Sequence, residues 1–436
     1  MKKVCIVYYQ ERIGLKMKKV KVPRTSIFLW NLLGSLSSAG ISIILLFLVT
    51  RMLSAQDGDV YSYGYAISNL FVIISVFQVR DFQATDISEK YSFADYFYTR
   101  ILTLLIYFLS SFLYLWLNHQ PLNQNLVTIG ILLFRSSESL SDVYQGFFQQ
   151  HERLDIAGKS LFFRNALSTL IFAVILSVTS NLLVSIISQT LFSYLFVWFY
   201  DFYQYRSLGL KSDFKIHFTP VRNILIECLP LFINAFLLVS IYNQPKYSLN
   251  YMYQVGLVAS GVQRDFSIIF TPIFTLNLMI VFFRPIITSL AIYLKENRIA
   301  DFIRTKRRFF LMIGLLSLLI FLIGALVGIP VLNIVYGLHL EEYQVSFIIL
   351  LLGGVASTFA TVIDNILTIY RKQKYIVLAF VIAYVTSLLI SDGLVRTYGI
   401  QGASVSFLIS MLVWYLSSSV IYFIVSPYSI FRKKKL

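Results

Sequence analysis

The stretch Leu126–Phe148, LVTIGILLFRSSESLSDVYQGFF, is a hydrophobic segment long enough to cross a membrane, yet it carries charged residues. Charged and amide side chains recur in it at helical spacing, the last just past its end: Arg135, Glu138, Asp142, Gln145 and Gln149. At about 100° per residue, these side chains fall within roughly 80° of one helix face. A charge at the centre of a lipid-facing helix costs about 2.5–3.5 kcal/mol. We therefore expect this polar stripe to face protein or a water-filled cavity.

The composition indicates an all-α polytopic membrane protein with about twelve transmembrane helices. Of the 436 residues, 57% are hydrophobic and 13% are charged, and the mean hydropathy is +0.73. The predicted spans are Ile27–Val49, Val60–Val79, Ile101–Leu117, Leu126–Phe148, Leu161–Val178, Leu182–Tyr200, Ile224–Asn243, Tyr251–Phe282, Phe309–Gly328, Ser346–Tyr370, Tyr375–Leu394 and Gln401–Val425. Membrane strands are not expected, because the chain lacks alternating segments of about ten residues.

Lys and Arg are distributed unevenly between alternate connections. If the N-terminus is cytoplasmic, the inside segments hold 32 of the 37 Lys and Arg residues, whereas the outside connections hold only Arg51, Lys246 and Arg396. The positive-inside rule therefore predicts that both termini are cytoplasmic. This distribution also explains the net charge of +16 by contact with anionic lipid headgroups, so no nucleic-acid partner is expected.

The spans are expected to form two six-helix bundles around a central cavity. The predicted parts are a basic cytoplasmic N-terminus (1–26), the first bundle (27–200), a cytoplasmic linker (201–223), the second bundle (224–425) and a basic cytoplasmic tail (426–436). Each bundle has an even number of spans, so both should have the same orientation. Such halves are commonly related by an axis along the membrane normal, with a binding site near the midplane.

Two arginines are predicted near mid-membrane, one in each bundle. Arg135 lies about 14 Å into its span, and Arg264 lies about 20 Å along Tyr251–Phe282. Guanidinium groups bind phosphate and pyrophosphate bidentately and stay charged. The alternative is internal pairing, of Arg135 with Glu138 and of Arg264 with Asp265.

The carboxylates of the spans are candidates for ion coupling. Glu138, Asp142 and Asp265 could carry protons near neutral pH or ligate Na⁺, or each could simply neutralise an arginine. Gln145 and Gln149 share the stripe with Arg135 and are candidates for contacting a polar substrate.

The sequence contains no signature of a catalytic or metal site. Cys5, Cys228 and the four histidines form no cluster with metal-ligand spacing. There is no nucleophile–base constellation and no Gly-rich phosphate loop. We expect no enzymatic activity, no metal, and no cofactor other than a coupling H⁺ or Na⁺. Glu227 and Asp364 lie near predicted interfaces, where snorkelling or a rim salt bridge would suffice.

Six short stretches follow one another through nearly the whole chain at the ends of predicted spans. They are RMLSAQDGDVYSY at 51–63, DVYQGFFQQHER at 142–153, NQPKY at 243–247, VYG at 335–337, YRKQKY at 370–375 and YGIQGA at 398–403. In this set the chain resembles the polysaccharide (O-antigen and capsule) repeat-unit flippases of the multidrug/oligosaccharidyl-lipid/polysaccharide exporter superfamily. One departure is the turn after the first span, where the family has Gly-Pro-x-x-x-Gly-x-Tyr and this chain has AQDGDVY at 55–61.

The resemblance implies a V-shaped pair of bundles working by alternating access in the bacterial cytoplasmic membrane. The implied substrate is an undecaprenyl-pyrophosphate-linked oligosaccharide, moved from the inner to the outer leaflet. The implied partners are membrane lipids and the polysaccharide polymerase and glycosyltransferases of the same pathway. Arg135 and Arg264 would then engage the pyrophosphate–sugar head while the lipid tail stays in the bilayer.

Two other functions fit the sequence less well. An ion-coupled exporter of drugs or metabolites from the same superfamily would be favoured by a cavity dominated by carboxylates, whereas here arginines and carboxylates are mixed. An integral-membrane polysaccharide polymerase typically has a large outer loop, and the longest outer connection predicted here is only about 329–345.

Overall fold

The computed structural model describes residues 23–86, 89–208 and 218–425, and within these ranges the chain forms helices and no β-strand. The expected class, an all-α polytopic membrane protein, is confirmed. The predicted basic tail at 426–436 lies outside the described residues, as do most of the N-terminal segment 1–26 and the middle of the linker 201–223.

Up to Gln254, the described residues form nine helices and a short π-helical turn. They are α1 (Arg24–Met52), α2 (Ala55–Val76), α3 (Val79–Thr85), α4 (Phe93–Asn118), α5 (Leu122–Gln150), α6 (Leu154–Thr179), α7 (Leu182–Phe196), the π-turn Val197–Asp201, α8 (Phe202–Ser207) and α9 (Phe218–Gln254).

From Val262 to Val425, the structure continues with five helices and two 3₁₀ turns. They are α10 (Val262–Phe282), α11 (Arg284–Lys295), α12 (Ile299–Tyr336), the turn Glu341–Tyr343, α13 (Gln344–Ile369), the turn Gln373–Tyr375 and α14 (Ile376–Val425). Gly399 has φ 55° and ψ −129°, so α14 consists of two helical arms that meet at a kink.

These helices form two compact units, Met1–Phe232 and Ile233–Leu436. The boundary lies inside α9, so this helix begins in the first unit and ends in the second. Ile224 and Cys228 of α9 are fully buried in a core of the first unit that also contains Val79 and Phe148.

Nine helical segments within the described residues are long and apolar enough to cross a membrane. α14 is one of them, and its 50 residues would extend about 75 Å as one straight helix, far more than the roughly 30 Å of a bilayer core. Its two arms therefore correspond to the last two predicted spans. α5 is not among the nine, because its polar stripe lowers its mean hydropathy.

The eighth predicted span, Tyr251–Phe282, is wrong at its start. α9 continues through the predicted outside connection as far as Gln254, and α10 begins only at Val262. Gly256 and Gly261 lie between them with φ of 74° and 94°. These are left-handed conformations that favour glycine, and they break the helix where hydropathy alone predicts continuity.

The turn between α2 and α3 brings a second set of charges to the stripe on α5. Phe77 and Gln78 adopt left-handed conformations, with φ of 44° and 56°, so α2 ends and α3 begins in a new direction. α3 packs against α5 and carries Arg80. α4 begins at a capping box, in which the side chains of Ser92 and Asp95 each accept a hydrogen bond from the other residue's backbone N–H.

Candidate functional site

The polar stripe predicted on one helix lies on α5, which packs against α2, α3, α4, α6 and α7 of the first unit. Its side chains therefore face neighbouring helices, as the cost of a lipid-exposed charge requires. The stripe holds two charged clusters, one around Arg135 and one around Asp142.

Arg135 is paired with Glu138, three residues further along α5. Nη1 of Arg135 contacts the Glu138 carboxylate, Nη2 donates to Asn69 Oδ1 at 3.0 Å, and the guanidinium lies 5.5 Å from the centre of the Tyr65 ring. Internal pairing, one of the two alternatives open from the sequence, therefore describes Arg135 in this conformation. Its Nε has no acceptor among the described residues.

Asp142 binds two arginines from other helices. Nη2 of Arg100 on α4 donates to Asp142 Oδ2 at 2.6 Å, and Nη1 of Arg80 on α3 lies 3.5 Å from Oδ1. Arg100 is fully buried, and its Nη1 also donates to the backbone carbonyl of Ser75. This ion pair therefore links α2, α4 and α5 through charge-assisted hydrogen bonds.

The two glutamines of the stripe hold Arg80. Gln145 Oε1 accepts from Arg80 Nη1 at 2.6 Å, and Gln149 Oε1 accepts from Arg80 Nη2 at 3.4 Å. Gln145 is 1% exposed, and its Nε2 donates to Ser141 Oγ at 3.0 Å. In this conformation the two amides therefore orient an arginine.

Asp201 ends the hydrogen-bonded chain that starts at Asp142. The π-turn presents its fully buried carboxylate to Ser141 and Ser160, whose hydroxyls donate to it at 2.6 and 2.5 Å. Through Arg80, Gln145 and Ser141, polar contacts thus run without a break from α3 to α6. Single-turn π-helical segments are frequent at functional sites.

A small cavity lies next to the Arg135 cluster. It has a volume of about 10 Å³ and is lined by Leu45, Tyr61, Tyr65, Ile131, Phe134, Ile186 and Gln189. This is room for about one water molecule. The cavity adjoins Tyr65, whose ring faces Arg135, and the Arg135 side chain itself is 17% exposed.

The predicted counterpart in the second unit is also an ion pair. Arg264 and Asp265 are neighbours in the first turn of α10, with Arg264 Nε donating to Asp265 Oδ1 at 2.8 Å. The carboxylates predicted for ion coupling, Glu138, Asp142 and Asp265, are thus each paired with arginine. Arg135 and Arg264 belong to different compact units.

Asp364 and Lys246 are placed differently from their predictions. Asp364, for which snorkelling or a rim salt bridge was expected, is 9% exposed and accepts from Trp414 Nε1 at 3.0 Å, with no salt bridge in the described part of the chain. Lys246, predicted in an outside connection, is 7% exposed within α9, with its Nζ 4.9 Å from the centre of the Phe270 ring.

Sequence reasoning did not single out several charged residues that the site brings together: the half-buried Arg80 and the buried Arg100, Arg164 and Asp201. Each lies at the end of an apolar run, because Arg80, Arg100 and Asp201 directly adjoin predicted spans and Arg164 is near the start of Leu161–Val178. A polar stripe on α4 could have revealed Arg100, because Thr99, Arg100, Thr103, Tyr107 and Ser111 recur at helical spacing and are all buried. Among the described residues, no group of three or more His, Cys, Asp or Glu side chains could hold a metal ion.

No family model matches this chain. Over 214 residues it is 26% identical to the capsular polysaccharide biosynthesis protein CapF of Staphylococcus aureus. The match covers 47% of this chain and 51% of CapF, so the chain spans about half the length of the curated relative it matches.

Similar solved structures are transporters rather than enzymes. An inward-facing multidrug resistance MATE family transporter of the MOP superfamily has a TM-score of 0.64 at 11% identity, covering 91% of this chain and 96% of that one. A MATE transporter from Vibrio cholerae has a TM-score of 0.59 at 12% identity, covering 91% and 95%. A MOP superfamily transporter from Pyrococcus furiosus has a TM-score of 0.58 at 13% identity, covering 91% and 94%. The chain therefore has the fold of the MOP-superfamily transporters.

Proposed function

We propose that this protein is a flippase for lipid-linked oligosaccharides. It would move an undecaprenyl-pyrophosphate-linked repeat unit from the inner to the outer leaflet of the bacterial cytoplasmic membrane by alternating access. The polymerase and glycosyltransferases of the same pathway would act on the product and supply the substrate. No enzymatic step belongs to this role.

The observation that carries the proposal is the arginine-rich interior of the first unit. Arg80, Arg100, Arg135 and Arg164 lie on four different helices, around or beside the stripe on α5. Buried charges in a membrane protein are costly and usually mark a path for a polar substrate or an ion. Arginine suits a pyrophosphate because its planar fork binds phosphate oxygens bidentately and stays charged.

Similarity to a capsule protein gives independent support for a polysaccharide substrate. The match with CapF covers about half of each chain, and it supports a role in polysaccharide biosynthesis. The chemistry of the substrate is inferred from the charged residues of the first unit. Arg135 and Arg264 are the groups proposed to bind the pyrophosphate–sugar head, with Gln145 and Gln149 acting through Arg80. Glu138, Asp142 and Asp265 are the groups proposed to couple transport to H⁺ or Na⁺.

The second candidate function is ion-coupled export of drugs or metabolites. The multidrug resistance transporter that shares this fold over 91% of the chain favours it. However, the P. furiosus transporter is described as having a binding pocket of reversed polarity that suggests a different function. The charge of the binding pocket can therefore differ between transporters that share this fold. In this protein, the mixture of arginines and carboxylates favours an anionic substrate over a cationic drug.

Deletion of the gene from its host separates the two functions. A flippase deletion should accumulate lipid-linked repeat units on the inner leaflet and reduce surface polysaccharide, and re-expression should restore both. Unchanged surface polysaccharide together with greater sensitivity to cationic drugs would instead indicate the exporter.

Variants test the residues within the same strain. Arg135→Gln with Arg264→Gln should reduce surface polysaccharide at least ten-fold at matched expression, because both head-group contacts lose their charge. Arg396→Gln is the matched control, since Arg396 is an exposed arginine of α14. Normal polysaccharide in the double variant would contradict the proposed roles of both arginines.

A further inference from the structure

Arg164 is a buried arginine whose hydrogen-bonding capacity is mostly unused. Its side chain is 2% exposed, and Nη2 donates to Asn165 Oδ1 at the long distance of 3.4 Å. Nε and Nη1 have no acceptor among the described residues. A guanidinium presents five N–H donors and keeps its charge, so leaving it buried without an acceptor is costly. Arg164 therefore has donors that could bind a further acceptor.

The charges around the stripe on α5 leave Arg164 in surplus. Asp142 pairs with both Arg80 and Arg100, and Glu138 pairs with Arg135. The third carboxylate, Asp201, is held by two serine hydroxyls. In this group of four arginines and three carboxylates, Arg164 is therefore the cation without a carboxylate.

Glu138 is a carboxylate of α5 near the level of Arg164, and it binds one arginine in this conformation, whereas Asp142 binds two. α5 and α6 pack against each other and are joined by only three residues, so they run antiparallel. Glu138 lies 12 residues before the end of α5 and Arg164 lies 10 residues after the start of α6. At 1.5 Å per residue these positions are about 18 and about 15 Å from the connection, at nearly the same level.

Electrostatics point to the same partner. Among the charged groups around Arg164, Glu138 acts on it most strongly, ahead of Asp201 and Asp142. Arg135, the present partner of Glu138, is another of these neighbouring charges. Glu138 therefore lies under the influence of two arginines while it is bound to one of them.

We propose that Arg164 and Arg135 exchange Glu138, so that Arg164 takes the carboxylate when an anionic substrate group binds Arg135. This inference rests on the proposed function and explains how a paired Arg135 can bind a pyrophosphate. The anion replaces Glu138 on Arg135, and Glu138 fills the unused donors of Arg164. After the exchange, Arg135, Glu138 and Arg164 each have an oppositely charged partner. Arg164 is thus a positioning residue, acting on substrate through Glu138 and Arg135.

The exchange predicts a specific dependence between two substitutions. In Arg164→Gln, the carboxylate released from Arg135 has no arginine to receive it, so pyrophosphate should bind at least ten-fold more weakly. In Glu138→Gln, Arg135 is already free of a carboxylate, so Arg164 is no longer needed. The double variant should therefore bind pyrophosphate as tightly as Glu138→Gln alone, a rescue that a purely structural role of Arg164 would not give.

The experiment measures binding of inorganic pyrophosphate to the full-length protein in lipid nanodiscs by titration calorimetry. Lys159→Gln is the matched control, because it removes a cation from α6 whose ammonium group faces Trp30 instead. If Arg164→Gln does not fold, Arg164→Lys serves in its place. Its lysine keeps the charge without the planar fork, and its weaker binding should again disappear in the Glu138→Gln background.

The outcomes separate this inference from the function on which it rests. Wild-type affinity in Arg164→Gln, or a double variant as weak as Arg164→Gln, would overturn the exchange alone. Wild-type affinity in Arg135→Gln would overturn the role of Arg135 in the proposed function. If the unmodified protein binds no pyrophosphate, both fail.

Discussion

Arg100 and Asp142 form the most deeply buried ion pair of the α5 stripe, with 2.6 Å between Nη2 and Oδ2 and with Arg100 fully buried. Arg80 approaches the other oxygen of the same carboxylate at 3.5 Å. Asp142 thus neutralises two arginines. We therefore expect its removal to lower the free energy of unfolding more than the removal of a carboxylate that binds only one. A coupling role for Asp142 would require this cluster to rearrange during transport.

Replacing Asp142 alone should strongly destabilise the protein. Asp142→Leu leaves two arginines near the helix interface without a carboxylate, which we expect to lower the free energy of unfolding by about 3–5 kcal/mol. In Asp142→Leu with Arg100→Met, the buried cation is removed as well, so most of that loss should be recovered. Thermal unfolding in detergent micelles measures both. Equal melting temperatures for the single and double variants would contradict the pairing.

The two serines that bind Asp201 should each contribute to stability. A hydrogen bond to a charged group is worth about 1.5–3 kcal/mol, so Ser141→Ala and Ser160→Ala should each lower the free energy of unfolding by about that amount. Ser177→Ala is the control, since its exposed hydroxyl bonds only to the backbone of its own helix. Chemical denaturation is the measurement. If both alanine variants match the control, the carboxylate does not depend on these donors.

A close approach between α1 and α6 gives a test of packing. A methyl group at Gly158 would overlap the backbone carbonyl of Trp30, whereas a methyl group at Gly40 would meet nothing within 4 Å. Gly158→Ala must therefore push the two helices apart and should lower the melting temperature by several degrees. Gly40→Ala should leave it unchanged or raise it slightly, because alanine favours a helix over glycine by about 1 kcal/mol. The reverse order of the two variants would contradict this contact.

The hydrophobic pattern predicts the helices well because membrane spans must be long and apolar. The stripe on α5 was predictable because Arg135 and Asp142 stand out as charged residues in an otherwise apolar run. Hydropathy fails where backbone conformation decides, as at Gly256 and Gly261, whose left-handed conformations end one helix before the next begins. A pattern of side chains does not encode these angles.

The partners on other helices could not be predicted from spacing. Glu138 was a foreseeable partner for Arg135 because the two are three residues apart on one helix. Arg100 is 42 residues before Asp142, and only the packing of α4 on α5 brings them together. The kink at Phe77 and Gln78 that turns Arg80 toward the same carboxylate is equally invisible in the composition.

His151, which follows the last residue of α5, should make stability depend on pH. Burial lowers the pKa of its imidazole below the ordinary value of 6.5, although the hydrogen bond to the Phe147 carbonyl and the nearby Glu89 carboxylate favour the charged form. The unfolded chain therefore binds this proton at a higher pH than the folded protein does. The free energy of unfolding should decrease as the pH falls through 6.5, and the loss should be complete below the lowered pKa.

The substitution His151→Gln isolates this contribution. Without a titrating imidazole at this position, the melting temperature should fall less than in the unmodified protein when the pH is lowered from about 7.5 to about 5, a range that brackets the ordinary histidine pKa. His339→Gln is the control, because the His339 side chain is 97% exposed. Thermal unfolding across this range gives the comparison. A larger pH dependence in His151→Gln than in the control would mean that the folded protein favours the charged imidazole, because only a raised pKa makes histidine stabilising at low pH.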